Sequence, residues 1–372
     1  MIGSTMAKTA ATADTMNETR DHAARLVEQS FVFNTTEAPA HEIDGKHIMD
    51  FTGSGPLTNR LIDEYRKEGY NAILIPQGFL DPAHMGPVAN PLETALRVFG
   101  RWNTFVADHA DDMMLLTKRE SFDKAQKSGR IGLLVGTHCG GEIFRTLDDI
   151  NFFYSEVGLR HALLTCFGQN RIGTSADEGD GRDGGLTRFG RAVVERMNSL
   201  GMAVDVSHCG LKTRRETMDA SSKPVLITHG NAAAICPTSR NNSDEMLKAM
   251  AATGGVIGLM FWRPMVRLED PVTVEHVLDH FDHVCQLIGP QHVGLGLETP
   301  MVGFDACENS MGPARQVSYL KQVRSMDIPE LCGADRVRTL VEGLLRRGYS
   351  DQDITGILGG NFVRVFKEIF VA

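Results

Sequence analysis

Short apolar runs of strand length punctuate the chain at residues 31–33, 71–76, 131–136, 161–165, 202–207, 224–228, 254–261 and 292–297. Within each run the apolar residues are continuous rather than alternating, the pattern of strands buried on both faces of a parallel sheet. Amphipathic stretches with a helical period separate them, among them residues 57–68, 91–109, 186–200 and 272–287. Eight such strand–helix units predict an α/β fold that closes on itself, a (β/α)8 TIM barrel. No G-x-G-x-x-G follows the first run, which counts against an open dinucleotide-binding sheet. Residues 1–16 read as a disordered or frayed start, and residues 17–372 as one barrel domain that opens on a helix over 17–29. Residues 302–326 read as irregular and polar, and helices over 335–347, 350–359 and 361–371 close the chain, with Ser350 as an N-cap.

In a barrel of this kind, residues just past the C-terminal strand ends converge on one site. Two histidines end apolar runs in matched positions, Val204-Asp205-Val206-Ser207-His208 and Val225-Leu226-Ile227-Thr228-His229, about one helix apart in sequence. They predict half of a metal site, although either alone reads better as a hydrogen-bonded core histidine. A third imidazole with a thiol beside it, His138-Cys139, follows the third run and offers two further zinc ligands. Glu298 ends the eighth run, where a carboxylate can ligate metal or act as a general base toward water. Arg240, in a loop after the sixth run, suits a bidentate grip on a substrate carboxylate. Residues 167–173 and 177–185, rich in glycine and charge, read as a mobile loop or a lid over the fourth strand.

Two tempting constellations fail. His276, His280 and His283 share one face of a peripheral helix without strand-end geometry, and read as structural or surface residues. Asp205 and Ser207 precede His208, but period-two alternation turns them to the other face of the strand, which excludes a Ser-His-Asp triad.

Composition narrows the function. Of 372 residues 42% are hydrophobic and 23% charged, an ordinary globular balance. The net charge of −9 gives no footprint for nucleic acid, and no stretch has the length and apolarity of a membrane span. The seven cysteines are odd in number, scattered and without CxxC spacing, and the N-terminal residues carry no apolar signal core. Together these predict a cytoplasmic protein that binds neither nucleic acid nor membrane.

The stretch from Gly185-Leu186-Thr187-Arg188-Phe189-Gly190-Arg191 through Asp205-Val206-Ser207-His208 resembles the membrane (renal-type) dipeptidases. So do Thr228-His229, Ser239-Arg240-Asn241 and Gly359-Gly360-Asn361-Phe362-Val363-Arg364-Val365-Phe366. The resemblance implies a barrel of the metal-dependent amidohydrolase type, a binuclear zinc site, dipeptide hydrolysis and a dimer or larger homo-oligomer. It places His208 and His229 at the second zinc and Arg240 at the substrate carboxylate. At the first-strand ligand positions of that family this chain carries Thr36 and Ala38. The bridging glutamate falls on His138 or Cys139, the transition-state histidine on Cys166, and the eighth-strand aspartate on Glu298. The expectation is therefore a divergent member with a depleted site: one zinc held by His208, His229 and His138 or Cys139, cleaving an amide or C–N bond in a small carboxylate-bearing substrate by metal-activated water. Glu298, Arg240 and Cys166 are its candidate catalytic residues. Alternatives are a binuclear dipeptidase proper, a metal-poor lyase or isomerase using Cys166, Cys139 and His138, and a non-catalytic barrel.

Overall fold

A computed structural model describes residues 13–371 apart from 39, 50–54, 79, 82–85, 139 and 309–322. Eight strands form the barrel: β1 (Phe33–Asn34), β2 (Ala72–Gln77), β3 (Ile131–Thr137), β4 (His161–Leu163), β5 (Ala203–Asp205), β6 (Val225–Gly230), β7 (Ile257–Leu259) and β8 (Val293–Leu295). Neighbours in the chain pair in parallel, and β1 closes the barrel by pairing with both β2, through Phe33 and Ala72, and β8, through Asn34 and Leu295. Each expected apolar run overlaps one of these strands. A ninth strand, Met113–Leu115, pairs with the lower half of β3, while the upper end of β3 turns to β4. A hairpin of Ala40–Ile43 and Lys46–Met49 turns on Asp44 and Gly45, both at positive φ, the backbone of a type I′ turn. The first helix begins at Ala13, four residues before the sequence pattern places it. Ser350 accepts the backbone N–H of Asp353 at 3.1 Å, the cap expected of it. Among the described residues no helix is long and apolar enough to cross a membrane.

Apolar side chains seal the barrel floor, where Phe33 of β1 stacks among Phe122, Phe362 and Phe366. Higher in the bore, close backbone approach replaces side chains. A Cβ at Gly296 would lie 1.8 Å from the carbonyl oxygen of Thr228, and one at Gly258 would lie 2.2 Å from it. Only glycine lets these strands meet at that depth.

Outside the barrel wall, a buried ionic cluster ties β1 to the outer helices. Arg336, fully buried, donates to the carboxylate of Glu68 and, at 2.8 Å, to the hydroxyl of Tyr70. The Glu37 carboxylate lies 4.0 Å from the same guanidinium and accepts from Asn34 at 2.6 Å. Burial and then the charge of Glu68 push the Glu37 carboxyl from 4.5 up to about 8. The folded chain therefore holds a proton that the unfolded chain has released over that interval, and its stability falls as pH rises from 4.5 through 8. Urea unfolding of chelator-treated protein at pH 5.5 and 8.5 should show a midpoint drop in the wild type that Glu37→Gln reduces. Equal drops in both proteins would contradict the assignment.

A candidate metal centre at the barrel mouth

Five strand ends deliver the expected residues to one place. His138 follows β3, Cys166 lies past β4, His208 past β5, His229 is the penultimate residue of β6 and Glu298 lies past β8. The His208 and His229 rings stand 4.9 Å apart between centroids, and His138 lies 5.5 Å from the first and 5.0 Å from the second. One oxygen of Glu298, Oε1, faces both partners, 3.8 Å from His208 Nε2 and 3.6 Å from His229 Nε2. Its other oxygen is 4.0 Å from the Arg240 guanidinium. Glu298 keeps 19% exposure where His229 has none, so the site opens to solvent on the carboxylate side. The backbone at Glu298 has φ of 48°, a left-handed conformation that a residue with a Cβ seldom adopts.

The charge states suit ligation. Burial, reinforced for His208 by Arg240 and for His229 by His208, holds both imidazoles far below their ordinary value. Burial lowers His138 to about 3. All three are neutral rings, the form that binds metal. Among the described residues the Nε2 atoms of all three are buried without a hydrogen-bond partner. Burial pushes the Glu298 carboxyl up to about 7, against the opposing pull of Arg240.

The donor atoms of the described residues divide into two sets, where the expectation was one set of His208 and His229 with His138 or Cys139. Among the described residues, His208, His229 and Glu298 bring one ligand atom each within 4.8 Å of one another, and so do His138, Cys166 and His208. The split lies in the donor atoms and not in the placing of the rings, since the His138 and His229 centroids are only 5.0 Å apart. Cys166 Sγ is 3.9 Å from His208 Nδ1. Cys139 lies outside the described residues.

Arg240 is buried and donates through one nitrogen to the carbonyl of Ser207, while its other terminal nitrogen has no hydrogen-bond partner among the described residues. Its loop is held by Arg214, which sequence reasoning missed. That guanidinium donates to Asn242 Oδ1 at 2.8 Å and to the carbonyl of Arg240 at 3.2 Å. Asp177 was also missed: both its carboxylate oxygens are buried without a partner among the described residues, one residue after Ala176 donates its N–H to His208 at 2.7 Å. A lone acid in a charged loop carries no sequence signal of burial.

The segment expected as a mobile loop is tethered. Asn170 donates to the Leu164 carbonyl at 3.0 Å and accepts from Ile172 N at 2.8 Å. Asp183 accepts from Lys212 N at 2.7 Å, capping the helix Leu211–Ala220. Ser207 donates to Asp205 at 2.6 Å, and neither residue is arranged with His208 as a nucleophilic triad. The peripheral histidines are engaged elsewhere: His276 with Thr273 and Arg267, His280 with Ala232 and Val266, His283 with Asp244.

Residues 21–311 and 325–371 match the membrane dipeptidase family (peptidase family M19). Dipeptidase aclJ of Aspergillus oryzae is 31% identical over 243 residues, 65% of this chain and 52% of that protein. The chain spans between 48% and 63% of the length of the curated relatives it matches. The probable dipeptidase PvdM from Pseudomonas aeruginosa superposes with a TM-score of 0.76 at 18% identity, over 95% of this chain and 98% of that one. A metallopeptidase from Rhodobacter sphaeroides, liganded with a phosphinate mimic of the dipeptide L-Ala-D-Ala, gives a TM-score of 0.67 at 19% identity, over 95% and 96% of the two chains. At such identities the two structures speak for the fold.

Proposed function

We propose that this chain, which belongs to the membrane dipeptidase family (peptidase family M19), is a mononuclear zinc hydrolase that cleaves the amide of a small, carboxylate-bearing, dipeptide-like compound. One observation carries the reading: two buried, neutral imidazoles present bare Nε2 atoms toward the same carboxylate oxygen, 3.8 and 3.6 Å away. Such a donor set fits zinc, with His208, His229 and Glu298 as its holders. The ion, when bound, supplies the Lewis acidity that makes water nucleophilic near neutral pH.

The residues divide the remaining work. Arg240 grips the substrate carboxylate through its unpartnered nitrogen, held in place by Arg214. Glu298 Oε2 accepts the proton of the attacking water and returns it to the leaving nitrogen. The dipeptide mimic bound by the Rhodobacter sphaeroides relative supports the substrate class.

A single ion is favoured by the end of β1. Thr36 Oγ1 turns to the Thr228 carbonyl at 3.5 Å, and Ala38 packs in an apolar cluster with Trp262 and Phe304. Glu37, between them, is engaged by Asn34. A second reading, a metal-poor lyase or isomerase, is favoured by the 3.9 Å approach of Cys166 to His208.

Elemental analysis of protein purified without added metal tests the choice. We expect about one zinc per chain, lost in the His208→Ala, His229→Ala double variant, and dipeptide hydrolysis abolished by chelator and restored by zinc. About two ions per chain would restore a binuclear dipeptidase. Activity that survives chelation but not thiol modification would replace the hydrolase with the second reading.

A further inference from the structure

We infer that Asp205 and Thr228 are positioning residues: a hydrogen-bond chain through them fixes the proton of His229 on Nδ1 and leaves Nε2 bare toward the metal position. The inference rests on the reading of His229 as a ligand, and it follows from counting protons along the chain.

Asp205 is fully buried and collects five donors. His161 Nε2 reaches it at 3.0 Å, the backbone N–H groups of Ser207 and Thr228 at 2.9 and 3.2 Å, and the hydroxyls of Ser207 and Thr228 at 2.6 and 2.5 Å. Burial alone would raise its carboxyl, but these bonds, that of His161 foremost, hold it below its ordinary value, so it is an acceptor with no proton to give. Each hydroxyl has one proton, and both are committed to this carboxylate.

Thr228 Oγ1 also lies 2.9 Å from His229 Nδ1. With its own proton spent on Asp205, the hydroxyl can meet that nitrogen only as an acceptor. Nδ1 therefore carries the ring proton, and Nε2 keeps its lone pair. A metal-ligating histidine is commonly oriented by such a partner on its other nitrogen, which also raises its basicity.

The surroundings keep the chain from drifting. The Thr228 carbonyl accepts from Thr35 Oγ1 at 2.9 Å, and the backbone N–H of His229 donates to Ser207 Oγ at 3.2 Å. Gly258 of β7 and Gly296, just past β8, leave the same carbonyl the room that a Cβ would take. Asp205, Ser207 and His208, which in sequence invite a nucleophilic triad, thus acquire a different use: the acid and the hydroxyl serve the histidine of the next strand.

Thr228→Val keeps the shape of the side chain and removes both of its hydroxyl bonds. Thr228→Ser restores them. In metal-free wild type with ¹⁵N-labelled histidine, the nitrogen shifts of His229 should report a proton on Nδ1. In the valine variant they should move toward the Nε2-protonated form. Zinc affinity, measured by competition with a chromophoric chelator, should weaken about 10–100-fold in Thr228→Val and return to within about threefold of wild type in Thr228→Ser.

A wild-type His229 protonated on Nε2 would overturn the inference outright, whether or not the valine variant folds. So would a folded Thr228→Val that holds zinc as tightly as wild type. Absence of zinc binding by wild type would instead remove the ligand reading, while the nitrogen shifts still decide the tautomer.

Discussion

Glu298→Gln, assayed at saturating zinc, should lower kcat on a dipeptide substrate by about 10²–10⁴-fold. Glutamine keeps the size of the side chain and one carbonyl oxygen, but it cannot take a proton from water at neutral pH. The carboxylate is placed for that task by three neighbours: two imidazole nitrogens on the side of Oε1 and the Arg240 guanidinium 4.0 Å from Oε2. Because Oε1 also belongs to the proposed ligand set, zinc affinity should weaken in the same variant. The two effects separate experimentally, since raising zinc restores occupancy but not proton transfer. A kcat within about tenfold of wild type at full occupancy would remove Glu298 from the chemistry.

Arg336→Met should destabilise the fold by about 3–5 kcal/mol in urea unfolding. The guanidinium is buried against Glu68, with the protonated Glu37 beside it, so its removal strands the Glu68 carboxylate in an apolar wall. Methionine fills much of the volume, which isolates the electrostatic loss from a cavity. Adding Glu68→Gln to the methionine variant removes the stranded charge and should recover most of the loss. A loss below about 1 kcal/mol would mean that water reaches the cluster and screens it.

The barrel was legible because its strands are buried on both faces and so write themselves as continuous apolar runs. Met113–Leu115, which pairs with β3 alone and lies outside the closed barrel, is not among the runs that read as strands. The hairpin at Ala40–Ile43 and Lys46–Met49 had one signal, Asp44-Gly45, but its strands are four residues each and mix polar with apolar positions. At the mouth, position at a strand end identified His138, His208, His229, Glu298 and Arg240 as neighbours, since the fold itself converges those ends. What sequence could not give was the grouping of donors, which depends on the distances between ligand atoms across the bore. Nor could it distinguish Asp177 from a solvated acid, or show that the hydroxyl of Thr228 meets a ring nitrogen of its own neighbour.

The left-handed backbone at Glu298 has a consequence for how this barrel responds to selection. A side chain at that φ is held against local preference, at a cost on the order of 1 kcal/mol that glycine would avoid. Screens that reward thermal stability alone should therefore recover glycine at 298 and, with it, barrels that endure longer and do nothing.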